Sequence, residues 1–136
     1  MHDDRTTLSE LKQKVRTFSQ ARNWEQFHHP KDLALALVCE IGEVLDHFRY
    51  QTNEEIAVKL TKPIALTELS HELADCLWLL LRLADVTSID LSAALQEKLV
   101  LADRKYPIEK AYGRPNKYTD YIDPKPQSDM NPTHTE

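Results

Sequence analysis

Residues 33–48 read LALALVCEIGEVLDHF, and the placing of two acids inside that apolar run sets the fold and the chemistry together. Residues three apart share one face of a helix. The face that carries Glu40 and Glu43 also carries Leu33, Ala36, Leu37 and Val44, so these carboxylates are expected to point inward. A second stretch repeats the arrangement. Around Glu72-Leu73-Ala74-Asp75, the residues Ala65, Leu69, Cys76, Leu79 and Leu83 fall on the side of Glu72, with Asp75 at its edge. Burying ionised carboxylates without partners costs several kcal/mol each, on the order of magnitude known for desolvated charge. Four that converge therefore call for cations, and hard oxygen ligands suit Mg2+, or Mn2+ as the alternative. Gly42, between the first two acids, adds to the pattern, because a glycine in a helix interior is roughly 1 kcal/mol worse than alanine. Close approach of a helix, a water or a phosphate would account for it; so would simple easing of helix packing.

Working outward, Leu8, Leu11, Val15 and Phe18 stand at helical spacing behind a Thr7-x-x-Glu10 capping box, which predicts a first helix over about 7–21. A connector over 23–30, rich in aromatic and imidazole groups, leads to Pro30, which suits the first position of a second helix running to about Tyr50. Apolar residues cover most of that helix's circumference, as expected of one buried by neighbours or by a second subunit. Residues 51–62 read as a polar connection with room for one helical turn. Pro63 opens a third helix to about Asp85, and Asp90 caps a fourth that ends before Pro107. No segment alternates with strand period, so the fold class is all-α: a four-helix bundle, with an oligomer as the way to cover the second helix. Beyond Leu101 there is no Leu or Val, while five of the seven prolines lie there. Residues 1–106 are accordingly read as the helical domain and 107–136 as a mostly extended tail, partly ordered to about residue 119.

With 136 residues the chain fits one domain. A formal net charge of −5 argues against non-specific nucleic-acid binding. It leaves room for a small anionic substrate, because bound metal inverts the sign of a carboxylate site. Cys39 and Cys76, one on each acidic helix, indicate neither a disulfide scaffold nor a thiolate zinc site. The longest apolar run, Cys76 to Leu81, stops at Arg82, far short of a membrane span, and no cleavable signal is seen, so a cytoplasmic location is expected.

The spacing Glu-x-x-Glu, 28 residues, Glu-x-x-Asp resembles the all-α nucleoside triphosphate pyrophosphohydrolases of the MazG-like superfamily. Further residues resemble its dCTP pyrophosphatase branch: Trp24-Glu25-Gln26-Phe27-His28, His29-Pro30-Lys31, the Leu35–Val38 run, Lys98, Arg104-Lys105-Tyr106-Pro107 and Lys117-Tyr118. The likeness covers roughly residues 8–119. It implies a hydrolase that converts a (deoxy)nucleoside triphosphate, dCTP or a related one, to the monophosphate and pyrophosphate, acting as a homodimer or homotetramer. It also implies that Glu40, Glu43, Glu72 and Asp75 hold Mg2+ and carry catalysis. Trp24 is expected to stack on the base, Tyr50 to stack where relatives have a second tryptophan, and Gln26 and His28 to sit in the substrate pocket. Lys31, Lys98 and Arg104 are aimed at phosphates, Tyr106 is expected to bind substrate, and Lys117 and Tyr118 to close over it. Three positions depart from the mammalian pattern or from that of many relatives. Val15, Leu79 and Ala102 stand where those proteins carry histidine, tyrosine and asparagine, so base preference is open to change while the acidic set is intact.

Each feature has a plainer reading. Glu-x-x-Glu is common on solvated helix faces. Trp24 could plug the corner between the first two helices, His28 could satisfy a backbone carbonyl, and most Lys and Arg are simply solvated. Two rival functions remain. Glu25-x-x-His28 and Glu68-x-x-His71 match the ligand element of carboxylate-bridged di-iron bundles, although the first lies in a connector rather than in mid-helix. A non-enzymatic oligomerisation module would need basic partners for its acids, and no core helix is expected to bury a lysine or arginine set.

Overall fold

The computed structural model describes residues 1–121. Its helices are α1 (Leu8–Gln20), α2 (Pro30–Asp46), α3 (Asn53–Lys59), α4 (Pro63–Val86), α5 (Leu91–Lys105) and α6 (Ile108–Ala111), with 3-10 turns at Trp24–Phe27 and Tyr118–Tyr121. No strand occurs among the described residues, as the missing strand period predicted.

Local chemistry sets the boundaries. The Thr7 hydroxyl accepts from the Glu10 amide at 3.2 Å, and the Glu10 carboxylate accepts from the Thr7 amide at 2.7 Å, closing the box that starts α1. Pro30 and Pro63 open α2 and α4, where the absent N–H is one that no helix could use. α2 ends at Asp46, four residues short of the expected Tyr50. The amides of His47, Phe48 and Arg49 fold back onto Val44 and Leu45 carbonyls, and Tyr50 takes a left-handed φ of 62° that no α-helix continues through. The connection at 51–62 holds more than one turn. Thr52 and Glu55 form a second capping box (3.2 and 2.8 Å), and Lys59 Nζ donates to the His47 carbonyl at 2.9 Å, tying α3 to the end of α2.

The chain divides into two compact units. In the first, Met1–Ser92, both α1 and α2 pack on α4. Leu33, Ala65, Leu69, Leu81 and Ala84 form the buried core, and Ser19 is enclosed with its hydroxyl on the Val15 carbonyl at 2.9 Å. This core is small. Leu35, Val38, Ile41 and Leu45 along α2 are each more than half exposed, and Leu66 and Leu73 of α4 are exposed as well.

The second unit begins at Ala93 and contains most of α5, α6 and the Tyr118–Tyr121 turn. Tyr106 and Tyr121 meet edge to face at 6.0 Å, Lys110 Nζ donates to the Tyr121 carbonyl at 3.0 Å, and the Tyr121 hydroxyl donates to the Arg114 carbonyl at 2.8 Å. Residues 107–121 carry local structure, held by the partners that Tyr121 supplies to Tyr106, Lys110 and Arg114. The remainder of the expected tail, 122–136, lies outside the described residues.

Candidate active site

The acids come together. Glu40 and Glu43 from α2 and Glu72 from α4 each offer a carboxylate oxygen, and these oxygens lie within 4.8 Å of one another. Asp75, one turn along α4 from Glu72, stands outside that triad yet close enough for its charge to act on Glu40. Among the described residues no lysine or arginine forms an ion pair with any of the four. The electrostatic consequence falls on Glu40, whose pKa is pushed up by burial and then by the charges of Glu43, Asp75 and Glu72. The Cys76 thiol is raised by burial and by Glu40, Asp75 and Glu72, which keeps it a neutral, inert neighbour. Glu43 departs from expectation: it is exposed rather than inward, while Glu40, Glu72 and Asp75 are half-buried. Val44, the next residue, is half-buried, so Glu43 stands at the edge of the face that carries Leu33 and Glu40. The set fits a hard divalent cation, because three converging oxygens of like charge lack any protein cation to balance them. Gly42 does not ease packing within this chain, since a methyl placed there would meet nothing within 4 Å.

Beside the acids runs an apolar groove of about 310 Å³ between α1 and α4, lined by Lys14, Val15, Phe18, Ala74, Asp75 and Trp78. Phe18 meets Trp78 edge-on at 5.3 Å and Trp24 at 5.9 Å, and the Arg22 guanidinium covers the Phe18 ring at 3.5 Å. Trp24 is 39% exposed, so it is no buried plug. Sequence reading missed Phe18 and Trp78 as site residues. Their signal was the i, i+3 relation of Trp78 to Asp75, masked because aromatic residues in apolar runs are read as core.

His28 is half-buried, and its Nδ1 accepts from Arg82 Nε at 2.9 Å. Arg82 itself is 4% exposed. It is a single buried cation on a core helix where no buried lysine or arginine set was expected: Arg82 reaches Asp85 and Glu25 at 2.7 and 3.2 Å, and Asp85 also binds Arg16. Those partners lie outside the acidic set. The Glu25–His28 element of the di-iron reading is therefore already engaged by a fixed positive charge.

Other candidate residues are placed as follows. Gln26 is exposed with its amide on the Asn23 carbonyl at 2.9 Å, and Lys31 is exposed beside Asp32 at 3.6 Å. Tyr50 is 94% exposed with the Arg49 guanidinium 5.5 Å from its ring centroid. Lys98 and Arg104 are exposed on α5, Tyr106 follows that helix, Lys117 is exposed, and Tyr118 opens the last turn; all belong to the second unit.

An all-helical unit with a convergent carboxylate cluster beside an aromatic groove defines a class of all-α proteins with an acidic site. The chain belongs to the MazG-like family, whose model matches residues 35–121. It is 37% identical to dCTP pyrophosphatase 1 of Bos taurus over 114 residues, which covers 84% of this chain and 68% of that protein. It is 36% identical to dCTP pyrophosphatase 1 of Homo sapiens, covering 84% and 67%. Among solved structures it is similar to a pyrophosphatase from Archaeoglobus fulgidus DSM 4304, with a TM-score of 0.70 and 32% identity over 79% of this chain and 98% of that one.

Proposed function

We propose that this chain hydrolyses a deoxynucleoside triphosphate, dCTP or a close relative, to the monophosphate and pyrophosphate, with Mg2+ held by Glu40, Glu43, Glu72 and Asp75. The observation that carries this reading is the carboxylate triad with no protein counter-charge, one helical turn from Asp75, which lines an aromatic groove. A triphosphate is repelled by such a cluster unless divalent cations lie between. When bound, Mg2+ supplies charge neutralisation at the phosphoryl group and the departing pyrophosphate. The chain's own residues do the rest. The carboxylates orient an attacking water toward the α-phosphorus, and Phe18, Trp24 and Trp78 offer ring faces for a base, each worth ~1 to 3 kcal/mol when stacked. Lys31, Lys98 and Arg104 are cations available for phosphate oxygens.

The same reading includes self-association. Leu35, Val38, Ile41 and Leu45 present an apolar stripe in a chain whose core is small, and such stripes mark interfaces. A homodimer or homotetramer would cover it, and light scattering on purified protein measures its order.

The deciding experiment is a panel of nucleoside triphosphates incubated with Mg2+ or Mn2+, with products separated as monophosphate, diphosphate, pyrophosphate and phosphate. Monophosphate and pyrophosphate in equal amounts are expected. Release of phosphate alone, or no turnover of any nucleotide, would overturn the reading.

A further inference from the structure

Arg82 lies in the run Leu79-Leu80-Leu81-Arg82-Leu83, where aliphatic side chains would suffice for packing. A buried guanidinium needs its donors satisfied. Three nitrogens find three separate acceptors: Nε donates to His28 Nδ1 at 2.9 Å, Nη1 to Asp85 Oδ2 at 2.7 Å and Nη2 to Glu25 Oε1 at 3.2 Å. Asp85 is shared with Arg16, whose Nε reaches it at 3.0 Å. Two cations and two carboxylates balance, and no buried side-chain nitrogen or oxygen among the described residues is left without a partner.

The contacts have two effects on the segment from Trp24 to His28. Glu25 and His28 are tied to α4, the helix that also carries Glu72 and Asp75, so the turn bearing Trp24 is fastened to the acidic helix at both ends. The second effect is on the imidazole. A guanidinium only donates, so His28 Nδ1 is an acceptor and the proton of the neutral ring sits on Nε2. Burial and the charge of Arg82 hold the His28 pKa below its ordinary value, with Glu25 opposing. Arg82 and Asp85 from α4, Glu25 from the 3-10 turn and Arg16 from α1 are the charged groups of this network.

Resting on the pyrophosphohydrolase reading above, we propose that Arg82 is a positioning residue of the nucleotide pocket: it fixes His28 as an Nε2–H donor and fastens the Trp24–His28 turn to the helix carrying Glu72 and Asp75. The donor so presented meets an acceptor on the base or sugar of the nucleotide.

The test uses the full chain with Arg82→Met, which keeps length but donates nothing, and Arg82→Lys, which keeps charge but cannot serve three acceptors. Nitrogen-15 NMR of the histidine rings, with His28→Gln assigning the resonance, reads the tautomer. Wild type is expected to show His28 protonated on Nε2 and bare on Nδ1, and both variants a mixture. KM for dCTP is expected to rise roughly three- to tenfold in both, as for one lost hydrogen bond, with kcat within about twofold. An Nδ1-protonated wild-type ring, or a folded variant with unchanged tautomer and KM, overturns the proposal. If Arg82→Met does not fold, Arg82→Lys and the wild-type tautomer decide. If wild type turns over no nucleotide, the functional reading fails, and an unchanged tautomer in the variants separately removes Arg82's hold on His28.

Discussion

Glu40 on α2 and Glu72 on α4 face one another with carboxylate oxygens within 4.8 Å, and no lysine or arginine of the described residues pairs with either. The contact is repulsive until something positive arrives. In the metal-free protein it therefore opposes folding, and its presence in an otherwise satisfied helix pair is the strongest structural reason to assign it a task.

Glu40→Gln should accordingly abolish nucleotide hydrolysis and, in metal-free buffer, leave the melting temperature equal to or a few degrees above wild type. Added Mg2+ should stabilise wild type and not the variant. Thermal melts with and without Mg2+, beside the product assay, check this. A variant that unfolds in metal-free buffer would give Glu40 a structural role.

Acid should act in opposite senses at Glu40 and Asp85. The Glu40 pKa is raised in the fold, so the folded state binds more protons just above the ordinary carboxylate range, and metal-free stability falls as pH rises through that window. Asp85 is held low by its hydrogen bond to Arg16, ahead of the charges of Arg16 and Arg82. Its contribution is present above the ordinary aspartate range and is lost as pH falls through the lowered value. Asp85→Asn should then cost on the order of 3 kcal/mol at neutral pH, because it leaves Arg82 buried with less counter-charge, and should flatten the acid limb of stability. Urea unfolding across pH measures both.

Trp24→Ala is expected to stay folded, since the ring is 39% exposed. Its KM for nucleotides should rise by a factor equivalent to ~1 to 3 kcal/mol of lost stacking, with inorganic triphosphate largely unaffected. Parallel KM measurements on dCTP and triphosphate, with a melt, distinguish this from loss of a core residue.

Ending the chain after Tyr121 should leave kcat/KM near wild type, whereas ending it after Tyr106 should lower it. The second cut removes Lys117 and Tyr118 and also Tyr121, the ring partner of Tyr106. Steady-state kinetics of the two truncations give the comparison. Equal losses would mean that residues beyond 121 contribute.

What could be read from sequence was what acts locally. Thr7 with Glu10, Pro30 and Pro63 mark helix starts through groups a few residues apart, and all three appear where their chemistry put them. The i, i+3 spacing put Glu40 beside Glu43 on α2, and the packing of α2 on α4 brings Glu72 to them. Thr52 with Glu55 carried the same signal as Thr7 with Glu10 and was passed over because the surrounding stretch is polar. Arg82 was beyond reach. Its partners lie 54 and 57 residues away at His28 and Glu25, and periodicity on α4 says only that a charge interrupts an apolar run. The exposure of Glu43 likewise depends on how α2 and α4 pack, which no single helix encodes.

Gly42 has empty space where its side chain would be, so one copy of the chain gives α2 no reason to forgo the roughly 1 kcal/mol that alanine offers. The bare backbone sits between Glu40 and Glu43, on a helix whose outer residues are exposed and apolar. That vacancy leaves room for a neighbouring group to come closer to the main chain than a methyl group would permit.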